Sequence, residues 1–456
     1  MAKTTKLFGT DGVRGTANSF PMTTDVVMKV GQALGYLLRS RNEKENHTPR
    51  VVIGKDTRRA NYMIEMALSS GLNSMGVYVQ LVGPLPTPGI GFITKNMRAN
   101  AGIVISASHN PYQDSGIKIF GPDGYKISLE MEAEIERLVA EDKLNQLLPD
   151  PDGVGRSKRI DDAAGRYVVN VKNTFPNHLT LDGMRIVLDC ANGAAYKVAP
   201  AVLEELGAEV VILSNSPNGT NINDKCGAMY PENVSEAVKA YRADVGISLD
   251  GDADRVIMVD ELGQLLTGDH ILAISALDLL KKKKLTHNTV VTTEMANFGF
   301  EKLMSEHGIK VIKTRVGDKY VVESMRSNGY ILGGESSGHI IFSEHTTTGD
   351  GLVAGLAVLA VMKQESRPLS KLKNVMMETP QVLKNVRVIR RTPLSEVVGY
   401  NELISKINEK LKDQGRTFVR YSGTEPLVRI LVEGPDEQAI ENYAEDIAEL
   451  LKKELS

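Results

Sequence analysis

Residues 50–58 read Arg-Val-Val-Ile-Gly-Lys-Asp-Thr-Arg, followed by a helical pattern over 61–75 and a second apolar run over 77–82. Val51, Val52 and Ile53 are β-branched without interruption, which suits a short strand covered on both faces. Gly54 and the polar residues 55–58 then turn the chain into the helix. The same order returns at 184–213. There a strand over 184–189 meets Cys190-Ala191-Asn192-Gly193-Ala194-Ala195, a helix running to about residue 206, and a strand over 209–213. It returns again from a strand at 289–293, with Glu294-Met295-Ala296-Asn297-Phe298-Gly299 as the turn, a helix to His307 and a strand over 310–313. Strand, polar turn, helix and strand make the βαβ unit of a mostly parallel sheet with helices on its faces.

Recurrence roughly every 100–130 residues implies three related α/β domains with mixed, mostly parallel sheets. Pro149-Asp150-Pro151-Asp152-Gly153 has the composition of a linker. The expected domains are 1–150, 151–255 and 256–368. Beyond 368 the pattern changes to a strand over 386–390, a helix over 394–413, alternating strands over 417–421 and 428–432, and an amphipathic helix over 437–451. That reads as a smaller α+β domain over 369–456.

The 456 residues are 42% hydrophobic and 24% charged, so ordinary cores can form without staples. A net charge of −3 argues against nucleic acid or an anionic membrane as the main partner. Two cysteines, Cys190 and Cys226, are no disulfide framework and lack zinc-site spacing. No apolar run follows the first six residues, so no signal peptide is expected. The longest apolar stretch, 352–362, is too short to span a bilayer and reads as a core helix. The lysine run 281–284 follows a helical stretch, where cations suit a C-terminus. A cytoplasmic protein is expected.

Chemistry gathers at strand ends. Ile103-Val104-Ile105 runs into Ser106-Ala107-Ser108-His109-Asn110-Pro111, which delivers serine to the edge where open α/β sheets bind ligands. Either serine there is a candidate nucleophile or phosphate carrier. Residues 246–249 run into Asp250-Gly251-Asp252-Ala253-Asp254-Arg255. Three alternating carboxylates on a tight loop suit one hard cation such as Mg²⁺, because burying them uncompensated would be costly. Gly333-Gly334-Glu335-Ser336-Ser337-Gly338-His339 presents a carboxylate, hydroxyls and an imidazole suited to sugar hydroxyl or amine groups. Arg420-Tyr421-Ser422-Gly423-Thr424, with Arg429 further on, offers hydroxyls, backbone N–H groups and guanidiniums to a phosphate. In Phe8-Gly9-Thr10-Asp11-Gly12-Val13-Arg14-Gly15 the glycine spacing is not that of a dinucleotide loop, and Asp11 and Arg14 remain as presented polar groups. Lys55 and Arg58 are further anion-binding candidates.

Taken together, the loops resemble the α-D-phosphohexomutases over essentially the whole chain. The resemblance implies four domains around a central cleft. It selects Ser108 over Ser106 as the phosphate carrier and matches Ser108, Asp250, Asp252 and Asp254 to the ligands of one Mg²⁺. Arg14, Lys118 and His339 match positions implicated in proton transfer and charge stabilisation, with Lys118 read as general acid or base in the serine's loop system. Glu335 and Ser337 match the sugar-binding loop. Arg420, Ser422, Gly423, Thr424 and Arg429 match the loop holding the phosphate that is not reacting. The implied activity moves phosphate between the 6- and 1-positions of a hexose phosphate through a hexose 1,6-bisphosphate, which also serves as activator. Phe8–Gly15, Ile105–Pro111 and the stretch 221–227 are similar to members acting on glucosamine phosphate, an activity that feeds aminosugar-nucleotide and cell-wall precursor synthesis. Glucose or mannose phosphate is the alternative, and Ser336 leaves amine against hydroxyl at C2 open. A metal-dependent sugar phosphatase is the competing class. A homodimer is compatible with the resemblance.

Overall fold

The computed structural model describes residues 6–9, 11–42, 47–422 and 426–455. It divides into two compact units, 1–293 with 312–374, and 294–311 with 375–456.

The first unit carries three sheets. In the first, seven strands run in the order Phe8–Gly9, Gly12–Thr16, Asp114–Phe120, Ala101–Ile105, Arg50–Lys55, Tyr78–Pro84 and Ser157–Arg159. The last four are mutually parallel, and the first two and Asp114–Phe120 are antiparallel additions at one side. The helices Thr24–Asn42 and Ala60–Ser74 pack on it, closing a core around Val51, Ile53, Ile64, Leu68 and Ile103. The second sheet orders Leu265–Leu266, Val256–Asp260, Val245–Leu249, Arg185–Asp189 and Glu209–Leu213, the last three parallel. The third orders Lys310–Thr314, Thr289–Thr293, Leu332–Gly334 and Ile340–Phe342. The apolar stretch over 352–362 lies inside the helix Gly351–Glu365 and is almost wholly buried. Among the described residues no helix is long and apolar enough to cross a membrane.

The second unit has an antiparallel sheet, Gln381–Arg387, Leu427–Glu433 and Arg416–Tyr421, covered by the helices Tyr400–Leu411 and Glu437–Leu455. Three expectations shift here. The strand expected at 386–390 is Gln381–Arg387, because its partner begins at Leu427, just after Pro426, and the ladder ends where the partner does. The single helix expected over 394–413 is a 3₁₀ turn at Leu394–Glu396 and a helix at Tyr400–Leu411, separated by Gly399 at φ +77°. The last helix runs on to Leu455, whose buried side chain extends the apolar face.

Candidate active site

The Ala101–Ile105 strand lies beside Arg50–Lys55 and releases the chain into the serine loop. Pro111 disfavours the helical region for Asn110, whose N–H closes a turn on the Ala107 carbonyl at 3.1 Å. Ser108 adopts the left-handed conformation at φ +52°, which a residue with a Cβ takes only when its surroundings enforce it. The two serines of the loop have different partners. Ser106 Oγ donates to Asp56 Oδ2 at 2.6 Å and accepts from Ser108 N at 2.9 Å, so it is used up in holding the loop. Ser108 Oγ instead donates to Asp250 Oδ2 at 2.6 Å and lies 3.3 Å from His109 Nδ1.

Asp250 opens the loop that follows the Val245–Leu249 strand. Asp250, Asp252 and Asp254 are all buried, and each offers a carboxylate oxygen within 4.8 Å of the others. Thr87 anchors the loop, giving its hydroxyl to Asp252 Oδ2 at 2.6 Å and its N–H to the Asp252 carbonyl at 2.9 Å. Gly251 is required by space: a Cβ there would lie 2.6 Å from the Ser108 carbonyl oxygen. Burial, then the charges of Asp254 and Asp252, push the Asp250 carboxyl well above the usual range. Asp254 goes the other way, since Lys118 and His339 outweigh its burial. Asp252 Oδ1 and Asp254 Oδ1 receive no hydrogen bond from the described residues. Buried carboxylate oxygens without donors, all hard ligands, fit a divalent cation such as Mg²⁺.

A cationic layer faces this loop. Lys118 lies on the Asp114–Phe120 strand, opposite Val104, and not in a loop as the sequence suggested. Its Nζ is 3.0 Å from Asp252 Oδ2 and 3.4 Å from Asp254 Oδ2 and Asp11 Oδ2. Burial alone would push its ammonium down, but Asp11, Asp252 and Asp254 outweigh that and hold it well above the usual lysine value. A resting general base would need the opposite shift. Arg14 pairs with Asp11 and reaches the Ala107 carbonyl at 3.4 Å. Lys126 bridges Asp11 Oδ1 and Asp318 Oδ2, both at 2.6 Å. His339 Nδ1 is 3.6 Å from Asp254 Oδ1, its Nε2 is 3.8 Å from Asp318 Oδ2, and Nε2 accepts the Gly349 N–H at 3.0 Å. Arg255 Nη1 sits 3.2 Å from His109 Nδ1.

Glu335 ends the Leu332–Gly334 strand in a hairpin with Ile340–Phe342, closed by Gly338 N donating to the Glu335 carbonyl at 3.0 Å. Its carboxylate Oε1 accepts from Gly317 N at 3.2 Å, and Ser337 stands exposed at the tip. The structure thus brings Ser108, the three aspartates, Arg14, Lys118 and His339 into one connected cluster.

In the second unit Arg420 and Arg429 face each other as register partners on adjacent strands. Burial and then Arg429 lower the Arg420 guanidinium from its ordinary value. Like charges directly opposite in a ladder repel, so the pair suits an anion placed between them. Ser422 is buried, with its N–H on the Leu427 carbonyl at 2.8 Å. Gly423 and Thr424 lie outside the described residues.

Lys55 and Arg58 are not anion sites. Lys55 is buried against Glu65 and lies 3.8 Å over the Tyr62 ring, and Arg58 is buried against Asp56. Lys126 and Asp318 enter the site without any local sequence signal, because they act across a long chain separation, and Asn223 enters it from the 221–227 stretch, whose resemblance did not tell which of its residues reaches the serine loop.

Four domain models of the phosphoglucomutase/phosphomannomutase family match the chain: α/β/α domain I over residues 5–146, II over 165–263, III over 267–379, and the C-terminal domain over 383–450. A phosphoglucosamine mutase of Bdellovibrio bacteriovorus is 64% identical over 457 residues, covering 100% of both chains. One from Geotalea uraniireducens is 57% identical over 450 residues, covering 99% of this chain and 98% of its own. A crystal structure of a phosphoglucomutase/phosphomannomutase family protein from Burkholderia thailandensis superposes with a TM-score of 0.80 at 23% identity, over 98% of this chain and 97% of that one. With all four domains matched in order and relatives this close over full length, the chain belongs to the phosphoglucomutase/phosphomannomutase family.

Proposed function

We propose that the chain interconverts glucosamine 6-phosphate and glucosamine 1-phosphate, with Ser108 as the phosphoryl carrier. The observation that carries this reading is the 2.6 Å contact of Ser108 Oγ with Asp250, at the edge of a carboxylate loop in which Asp252 Oδ1 and Asp254 Oδ1 have no donor among the described residues. The near relatives, at 64% and 57% identity, support the choice of sugar.

In the forward step a sugar hydroxyl attacks the phosphorus carried on Ser108. The new P–O bond forms to the sugar, the bond to Ser108 Oγ breaks, and the hydroxyl proton is passed on so that Oγ leaves as a hydroxyl. A hexose 1,6-bisphosphate results. The reverse transfer, from the other phosphate, restores the carrier. Asp250, Asp252 and Asp254, together with the Ser108 oxygen, would hold Mg²⁺, which when bound supplies positive charge to the transferring phosphoryl group. Lys118 Nζ, charged by its carboxylate neighbours, is placed to give a proton to a departing oxygen and to offset charge. Arg14, held by Asp11, is aimed at the same region by its contact with the Ala107 carbonyl. His339 borders Asp254 on the other side. Glu335 and Ser337 serve the sugar, and Arg420, Ser422, Gly423, Thr424 and Arg429 serve the distal phosphate. We place the activity in the cytoplasm, in keeping with two buried cysteines that form no disulfide.

The test is kcat/KM on the 6-phosphates of glucosamine, glucose and mannose, with intact mass before and after substrate. We expect a glucosamine preference and one exchangeable phosphoryl group that Ser108→Ala abolishes along with turnover. Preference for glucose or mannose phosphate would overturn the choice of sugar. Steady release of inorganic phosphate would point to a phosphatase instead.

A further inference from the structure

Ser108 is held by its carbonyl as well as its hydroxyl. The Ser108 carbonyl oxygen accepts from Asn223 Nδ2 at 2.8 Å and from Arg58 Nη2 at 3.1 Å. The Asn110 carbonyl, two residues on, accepts from the same two groups, Asn223 Nδ2 at 3.1 Å and Arg58 Nη2. Two carbonyls of one loop are therefore bracketed by the same pair of donors.

Each donor is itself anchored, and in different sheets. The Arg58 guanidinium is set by Asp56, whose Oδ1 also accepts Arg58 N at 2.9 Å and Asn61 Nδ2 at 2.8 Å. Asp56 follows the Arg50–Lys55 strand of the first sheet. Asn223 hangs from the second sheet. Its N–H donates to the Ala191 carbonyl at 3.0 Å, and Ala191 N donates to Asp189 Oδ1 at 2.8 Å, at the end of the Arg185–Asp189 strand. Asp189 Oδ2 takes Gly227 N at 2.9 Å, closing the other end of the 223–227 loop. Asn223 and Ala191 are both left-handed, at φ +57° and +54°, so this platform has little freedom to adjust. It also touches the aspartate loop: a Cβ on Gly251 would lie 2.8 Å from Asn223 Nδ2 and 2.6 Å from the Ser108 oxygen.

We propose that Asn223 is a positioning residue: acting with Arg58, it holds Ser108 left-handed and so sets where Ser108 Oγ stands relative to the aspartate loop. This rests on Ser108 being the phosphoryl carrier. Ser108 relaxing to an ordinary backbone conformation would swing Cβ, and with it Oγ, away from Asp250. No bond of Asn223 to the sugar is invoked, so its loss acts on the transfer step and not on substrate affinity.

The test uses Asn223→Ala and the near-isosteric Asn223→Asp, which keeps size but removes the Nδ2 donor. In each, kcat and KM for glucosamine 6-phosphate, the Mg²⁺ half-saturation, and the rate of Ser108 phosphoryl exchange with glucosamine 1,6-bisphosphate by intact mass are measured. We expect kcat and the exchange rate to fall together, by up to about 100-fold, the scale of an ångström-sized misplacement. KM should stay within about twofold of wild type, since sugar binding does not depend on Asn223 in this reading, while the Mg²⁺ half-saturation should rise, since the displaced Ser108 oxygen is one of the groups that would hold the ion. A soluble Asn223→Asp protein exchanging phosphate at the wild-type rate would overturn the inference, as would a change in KM alone. A wild-type chain with no exchangeable phosphoryl group overturns the carrier reading and this one with it. Wild-type exchange with unaffected variants overturns this one alone.

Discussion

Ser106 and Ser108 stand two residues apart in one loop, and local sequence treats them alike. Resemblance to a family points to one of them, and their hydrogen bonds differ. Ser106 spends its donor on Asp56 and its acceptor on the Ser108 N–H, while Ser108 turns its hydroxyl to Asp250. The two substitutions should therefore separate. Ser106→Ala should lose about 1–3 kcal/mol of stability by leaving the buried Ser108 N–H without its acceptor, yet still carry phosphate. Ser108→Ala should unfold close to wild type and carry none. Denaturant unfolding and intact mass on both proteins check this pair, and a phosphate retained by Ser108→Ala would contradict it. Lys118 shows the opposite case. Its presence in the site was readable, but its charge state was not, because that depends on Asp11 and on two aspartates more than 130 residues away.

At the scale of elements, strands and helices with strong apolar patterns lay where the pattern put them, and irregular joints did not. Thr289–Thr293 and Glu209–Leu213 are examples of the first. The Gly399 break is an example of the second, since the flanking residues continue helical spacing straight through it. The helix Gly268–Lys281 begins with Thr267, whose N–H donates to His270 Nδ1 at 3.3 Å. Burial, and then Lys373, push the His270 imidazole down to about 4 from its usual 6.5. A depressed histidine stabilises the fold above its unfolded value, and that contribution is lost as pH falls from about 6.5 towards 4, up to about 3 kcal/mol. Protonation also takes away the acceptor that caps the helix. Asp350 works against this, because burial raises its carboxyl to about 6, so its contribution is lost as pH rises from about 4 to 6. Comparing His270→Gln with wild type isolates the histidine: the variant should lose less stability between pH 6.5 and 4, and parallel pH profiles would refute the assignment.

At the scale of the whole molecule, the βαβ units were legible because each is local, closed within about 30 residues. What ties the sheets of the first unit together was not. Lys126 meets Asp318 at a separation of 192 residues, and the same turn sends Asp123 to Arg326 at 2.7 Å and the Gly124 carbonyl to Thr347. No window of sequence contains both ends of such a contact. In the second unit, what remains is the opposition of Arg420 and Arg429 across the ladder. Under the proposed distal-phosphate role, that register makes the stability of the sheet a matter of mass action. An anion that relieves the repulsion binds the folded ladder and not the open chain, so the ladder tightens as the anion concentration rises, by about 1.4 kcal/mol at ten times the dissociation constant. Inorganic phosphate should therefore slow amide hydrogen exchange in Arg416–Tyr421 and Leu427–Glu433, and Arg429→Ala should erase the concentration dependence. Exchange in these strands that ignores phosphate would mean the register carries no such linkage. With such a linkage, this sheet would register the anion concentration around it as its own resistance to opening.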